Sequence, residues 1–134
     1  MEILYLSTDQ LIAMHETVLA ETGGLDGVRS YHQLASVVGQ VQQSLFGEDA
    51  YATLADKAAA YAFFLTMNHP FNDGNKRTAV VALDVFLDQH GHLLEDGGEL
   101  EDVIVRLAAG QMAQGEFFEW VAAHVRALGA PGNK

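Results

Sequence analysis

A chain of 134 residues, 49% of them hydrophobic, is long enough for one domain with a real core and too apolar for a disordered one. Seven lysines and arginines stand against eighteen acids, a formal net charge of −11, which argues against nucleic acid or an anionic membrane surface as the main partner. With no cysteine, disulfides and thiolate metal sites are excluded, and no stretch approaches the ~18–20 apolar residues of a membrane span.

The N-terminus Met1-Glu2-Ile3-Leu4 is acidic and its apolar run is short, which does not read as a signal peptide; the expected location is cytoplasmic. Ser7 and Gln10 have capping-box spacing and Leu6 with Leu11 can form a hydrophobic staple, so a helix starts here and ends at Gly23-Gly24. His15 on this helix reads as a packed or surface residue and not a ligand. After a loop over Leu25 to Ser30, Leu34, Val37, Val38 and Val41 keep helical spacing between Tyr31 and Val41. Phe46 to Tyr51 is a loop, and Thr53 with Asp56 caps the next helix.

Two strongly apolar runs follow, Leu54 to Met67 and Thr78 to Leu87. Ala79, Val80, Leu83, Phe86 and Leu87 give the second a buried face, with His90-Gly91 at its end. His92-Leu93-Leu94 is briefly extended, a lone strand or nothing. The acidic stretch Glu95 to Asp102 enters another helix with its carboxylates near the positive dipole end, and its spacing does not match a calcium loop. Helices over Asp102 to Ala109 and Gln114 to Leu128 complete the set, with Phe117, Phe118, Val121 and Val125 inward, Trp120 in the core or on a partner, and His124 solvated. The expected fold is all-α: a compact single-domain bundle of about six helices over residues 1–128, with little or no β structure and a frayed tail over 129–134.

Between the two apolar runs lies His69-Pro70-Phe71-Asn72-Asp73-Gly74-Asn75-Lys76-Arg77. Pro70 disfavours the α conformation at His69, so the upstream helix stops at about Asn68. Asp73 is a good N-cap for a helix opening at Gly74 or Asn75, whose first N–H groups would point into the loop as an anion site. Cations in a first helical turn oppose the dipole by about 0.3–1 kcal/mol each. This acidic chain nevertheless places Lys76 and Arg77 there, a local penalty that a bound phosphate would reverse. Taken singly, each residue has a bland explanation as a cap or a solvated charge; six distinct groups in this order do not.

The motif resembles the active-site signature of the Fic/Doc superfamily, specifically its Doc (death-on-curing) toxin branch, and the similarity extends from about Ile3 to Val125. Gly24-Leu25-Asp26-Gly27 and Gly39-Gln40-Val41-Gln42 resemble Doc segments more loosely. Adenylylating Fic enzymes carry a second Gly where this chain has Lys76 and a second Arg where it has Val80; both departures follow the Doc pattern. The resemblance implies a toxin of a toxin–antitoxin pair, a protein kinase-like enzyme that moves the terminal phosphate of a nucleoside triphosphate onto a threonine of elongation factor Tu and so blocks translation. It also implies an antitoxin protein in trans, laying a peptide into a groove beside the active site. Thr17-Val18-Leu19-Ala20-Glu21 comes close to the built-in inhibitory motif of Fic enzymes but is followed by Thr22, and reads as plain helix.

On this reading His69 is the general base, Asp73 holds Mg²⁺, and Gly74, Asn75, Lys76 and Arg77 cradle the phosphates of ATP, with Asp73, Lys76 and Arg77 stabilising charge during transfer. Phe71 anchors the loop inward. Two alternatives stay open: a Fic-type protein adenylyltransferase, and a catalytically silent module that keeps the loop for phosphate-dependent recognition.

Overall fold

The structure is a computed structural model and describes residues 1–129. Six helices carry the fold: α1 (Thr8–Thr22), α2 (Tyr31–Val41), α3 (Leu54–Asn68), α4 (Asn75–Gln89), α5 (Leu100–Ala108) and α6 (Gln114–His124). The starts legible in the sequence are where local chemistry puts them. Ser7 and Gln10 exchange side chain–backbone hydrogen bonds, and the Thr53 hydroxyl accepts from the Asp56 amide.

Helix α3 is the central post. From Lys57 to Leu65 almost every residue is buried, and Ala58-Ala59-Ala60 let α4, α2 and α6 approach closely. The core joins Leu11 of α1, Leu34 and Val37 of α2, Leu83 and Phe86 of α4, Ile104 of α5 and Phe117 of α6. The N-terminal segment is tied onto it by two polar clasps. The Leu6 amide donates to the Tyr61 hydroxyl, which donates back to the Leu6 carbonyl; burial pushes this phenol well above its ordinary range. The Leu4 amide donates to Nε2 of His90, whose Nδ1 bonds the Phe86 carbonyl.

Two small antiparallel ribbons accompany the helices. One pairs β1 (Ser44–Leu45) with β2 (Glu48–Asp49) ahead of α3, its second strand falling inside the expected loop over Phe46 to Tyr51. The other corrects two expectations. His92–Leu94 (β3) is not alone: it pairs with β4 (Val125–Ala127), residues expected to continue the last helix to Leu128. Helix α6 stops at His124 because Val125 turns extended (φ −76, ψ 134) and feeds a ladder closed at its ends by Glu95 N–H to His124 O and Leu128 N–H to Gly91 O. Arg126 and Glu95 form an ion pair beside it. His124, expected solvated, is half-buried: its ring packs 4.5 Å from Trp120, and its Nδ1 bonds the Trp120 carbonyl. Of the expected frayed tail, Gly129 is described; 130–134 lie outside the described residues. Among the described residues no helix is long and apolar enough to cross a membrane.

Candidate active site

The motif loop joins the C-terminus of α3 to the N-terminus of α4, and the geometry at each end follows from a few residues. His69 is the C-cap of α3 in the left-handed region (φ 48, ψ 58), where it ends the helix ahead of Pro70, which disfavours the right-handed conformation there. Arg29 holds that conformation. Its Nε donates to the His69 carbonyl at 2.6 Å and its guanidinium to the Asn68 carbonyl at 2.8 Å, placing a cation on the negative end of α3. The His69 side chain is left exposed.

Phe71 is 1% exposed, the inward anchor that the sequence suggested. Asn75 closes the loop on itself: its side-chain oxygen accepts from the Phe71 amide and its nitrogen donates to the Phe71 carbonyl, both at 3.0 Å. The carboxamide is thus engaged with the loop backbone, and what Asn75 presents outward is its main chain.

The segment before α2 is strapped against this loop. The Pro70 carbonyl accepts from the Arg29 and Ser30 amides, the Asn72 amide donates to the Gly27 carbonyl, and the Asn72 side chain donates to the Asp26 carbonyl. Val28 and Phe71 form an antiparallel bridge. The Gly24-Leu25-Asp26-Gly27 segment, to which the sequence assigned no chemistry, is therefore the second half of the site.

Asp73 differs from expectation. The N-cap of α4 is Gly74, in the left-handed region (φ 75), with no side-chain cap. The Asp73 carboxylate instead accepts the Gly74 amide on Oδ1 at 2.9 Å and the Leu25 amide on Oδ2 at 3.2 Å. It has been drawn one residue back by the strap, and the amides opening α4 carry no carboxylate lid. They face a cavity of 350 Å³ whose walls are residues 22–24 on one side and 73–77 on the other. Asp73, Gly74, Asn75, Lys76 and Arg77 are thus brought together; His69 stands outside that lining, exposed at the other end of the loop. A neighbouring, more apolar hollow shares Lys76 and Arg77 with Val80, Ile104 and Val105.

Two residues that sequence reasoning left out of the site act on it. Arg29 fixes the backbone of His69, and His15 of α1 lies buried against Phe71 with Nε2 2.7 Å from the Asp73 carbonyl. Neither has a local signal, since the partners are 40 and 58 positions away.

Fold and site together define a helical domain in which Lys76 and Arg77 flank the uncapped N-terminus of α4 on a cavity wall fastened by a second loop. A family model described as the Fic/DOC family matches residues 5–87. The chain is 32% identical over 109 residues to the "Protein kinase doc" of Escherichia phage P1, covering 81% of this chain and 86% of that one. It is 46% identical over 69 residues to the "Toxin Doc" of Mycolicibacterium smegmatis (strain ATCC 700084 / mc(2)155), covering 52% of this chain and 53% of that one. The chain belongs to the Fic/Doc family.

Proposed function

We propose that this chain is a Doc-type toxin: a protein phosphotransferase that moves the terminal phosphate of ATP to a serine or threonine hydroxyl of a translation factor, elongation factor Tu being the substrate the family resemblance points to. The observation that carries the reading is the uncapped start of α4, with Lys76 and Arg77 beside its free amides on the wall of the cavity that Asp73 also lines. The kinase name of the phage P1 relative supports it.

The chemistry asks mainly for positioning and charge neutralisation. The cradle of Gly74, which brings no side chain to the wall, the amides from Asn75 onward, the Lys76 ammonium and the Arg77 guanidinium binds the phosphates. His69, exposed, takes the proton of the acceptor hydroxyl; the hydroxyl oxygen bonds to the terminal phosphorus, and the bond from that phosphorus to the bridging oxygen breaks, the electron pair leaving with ADP. Asp73 suits Mg²⁺, because its carboxylate stays on the cavity wall after accepting one amide on each oxygen. Among the described residues no cluster of three or more His, Asp or Glu forms a protein cage, and a site completed by phosphate oxygens needs none. Mg²⁺ supplies neutralisation of phosphate charge when bound with the nucleotide.

Lys76 carries the choice of terminal over inner phosphate: its bulk and charge occupy the position where adenylylating enzymes keep a glycine. An antitoxin in trans is the partner this reading implies, and the cytoplasm the compartment. Incubation with ATP, Mg²⁺ and elongation factor Tu, followed by mass measurement, tests the proposal. A phosphoryl-sized increment is expected, absent with His69→Ala; an adenylyl-sized increment would replace the kinase reading with a nucleotidyl transferase. Nucleotide binding without any transfer would leave a recognition module. Because His69 is exposed, His69→Ala should keep its stability within about 1 kcal/mol of the parent in urea unfolding.

A further inference from the structure

Helix α1 contributes no residue before Thr22 to the cavity wall, yet it sends one buried polar side chain towards the motif. His15 is 1% exposed, and a leucine or phenylalanine would fill that position in the core at no desolvation cost. Its ring instead serves three neighbours at once. One face lies on Phe71, centroids 3.9 Å apart and planes 4° from parallel. Nε2 is 2.7 Å from the Asp73 carbonyl oxygen. A carbonyl can only accept, so Nε2 carries the proton. Cδ2 lies 3.7 Å from where a Cβ on Gly74 would stand, so the ring edge also backs the N-cap of α4.

We infer that His15 is the positioning residue of the motif: by donating from Nε2 to the Asp73 carbonyl while stacking on Phe71, it sets the direction of the Asp73 carboxylate and of the first amides of α4. The inference rests on the proposed phosphotransfer for its kinetic consequence and on geometry alone for its structural one. His15 does not line the cavity, so it touches neither phosphate nor acceptor; it acts through the peptide unit between Asp73 and Gly74. That unit's carbonyl is held by His15, while the amide of the same peptide group, Gly74 N–H, donates to Asp73 Oδ1. Rotation of the peptide would break both bonds together and leave the carboxylate held by the Leu25 amide alone.

Two substitutions separate the ring from its proton. His15→Phe keeps the stack on Phe71 and removes the donor; His15→Gln keeps an N–H donor and removes the ring. In His15→Phe, amide hydrogen exchange at Leu25 and Gly74, the two N–H groups that donate to the Asp73 carboxylate, is expected to quicken about tenfold, with the centre of α3 unchanged. With ATP, Mg²⁺ and elongation factor Tu, kcat should fall about tenfold and KM for ATP should rise, and His15→Gln should recover most of both. Unchanged exchange at Leu25 and Gly74 in a folded His15→Phe protein overturns the inference, as does an unchanged kcat in an enzyme that transfers phosphate. If the parent chain transfers nothing, the kinase reading falls, and exchange still decides the role of His15. Should His15→Phe not fold, imidazole nitrogen shifts of the parent protein decide: a proton on Nδ1 with Nε2 bare would end the case.

Discussion

A methyl group at Gly24 would stand 2.8 Å from Oδ2 of Asp73 and 3.3 Å from its Cγ, on a backbone with φ 120 that side chains rarely adopt. The carboxylate cannot easily retreat, because amides from Leu25 and Gly74 hold its two oxygens. Gly24→Ala should therefore cost about 1–3 kcal/mol of stability from backbone strain, and weaken Mg²⁺-dependent ATP binding by pushing Asp73 off the wall. Gly39 makes the contrast. It sits exposed inside α2 with nothing within 4 Å of a built Cβ, so Gly39→Ala should stabilise by about 0.5–1 kcal/mol. Urea unfolding of both variants, with calorimetric titration of ATP and Mg²⁺, checks whether the same substitution takes opposite signs at the two sites. Equal effects would mean that the strap does not bear on Asp73.

At the scale of elements, the ribbon β1–β2 is held to the bundle by one buried cation. Lys57 of α3 is 1% exposed; its ammonium lies 2.9 Å from Asp49, bonds the Tyr51 carbonyl and sits 5.7 Å from the centre of the Tyr5 ring. The side chain of Asp49 is 46% exposed, so the pair is worth less than a fully buried one, yet removing Asp49 leaves the ammonium short of a counter-charge. Asp49→Ala should cost about 1–3 kcal/mol, and the double variant Asp49→Ala/Lys57→Met should be more stable than Asp49→Ala alone, because a buried unpaired charge costs more than an apolar side chain of similar shape. A double-mutant cycle in urea measures it; a double variant no more stable than the single one would show the ammonium content with the carbonyl. The sequence placed all six helices because their signals are local: Ser7 with Gln10, Thr53 with Asp56, and the spacing of Leu34, Val37 and Val41 each act within a turn or two. It missed what depends on distant partners. Nothing near Val125 announces that His92–Leu94 waits for it, and a helix pattern carried on to Leu128 is the natural local reading. The same holds in the candidate site. The order His69 to Arg77 marked the loop, but the N-cap is Gly74, and one partner of the Asp73 carboxylate is the Leu25 amide, 48 positions earlier.

The charge of the whole molecule meets its sharpest local form beneath α5. Asp84 of α4 shares a hollow of 230 Å³ with Asp96 and Glu101, against Val80, Leu94 and Leu100. Asp96 accepts the Leu100 amide at 2.7 Å and the Gly98 amide at 3.3 Å at the start of α5. Burial, and then the charge of Asp96, push the Asp84 carboxyl from the ordinary 3.8 up to about 6. A carboxyl raised in the folded state binds its proton more tightly there than in the unfolded chain. Between about pH 4 and pH 6 the native state holds more protons, and the contribution of Asp84 to stability falls as pH rises. Above about pH 6 the group is ionised in both states and the penalty is complete. Solvent reaches one side of Asp84, so screening reduces the effect, and Asp84→Asn should stabilise the protein by about 1 kcal/mol at pH 7. At a net charge of −11, every carboxylate loses repulsion on acidification, and the parent curve alone cannot isolate one of them. The difference between parent and Asp84→Asn can. It should be near zero at about pH 4, where Asp84 is protonated in the folded protein, and grow to its full value by about pH 7. Urea midpoints for both proteins across that range decide it: a difference that is flat with pH, or that shrinks as pH rises, would mean that Asp84 is ionised in the fold at the ordinary acidity.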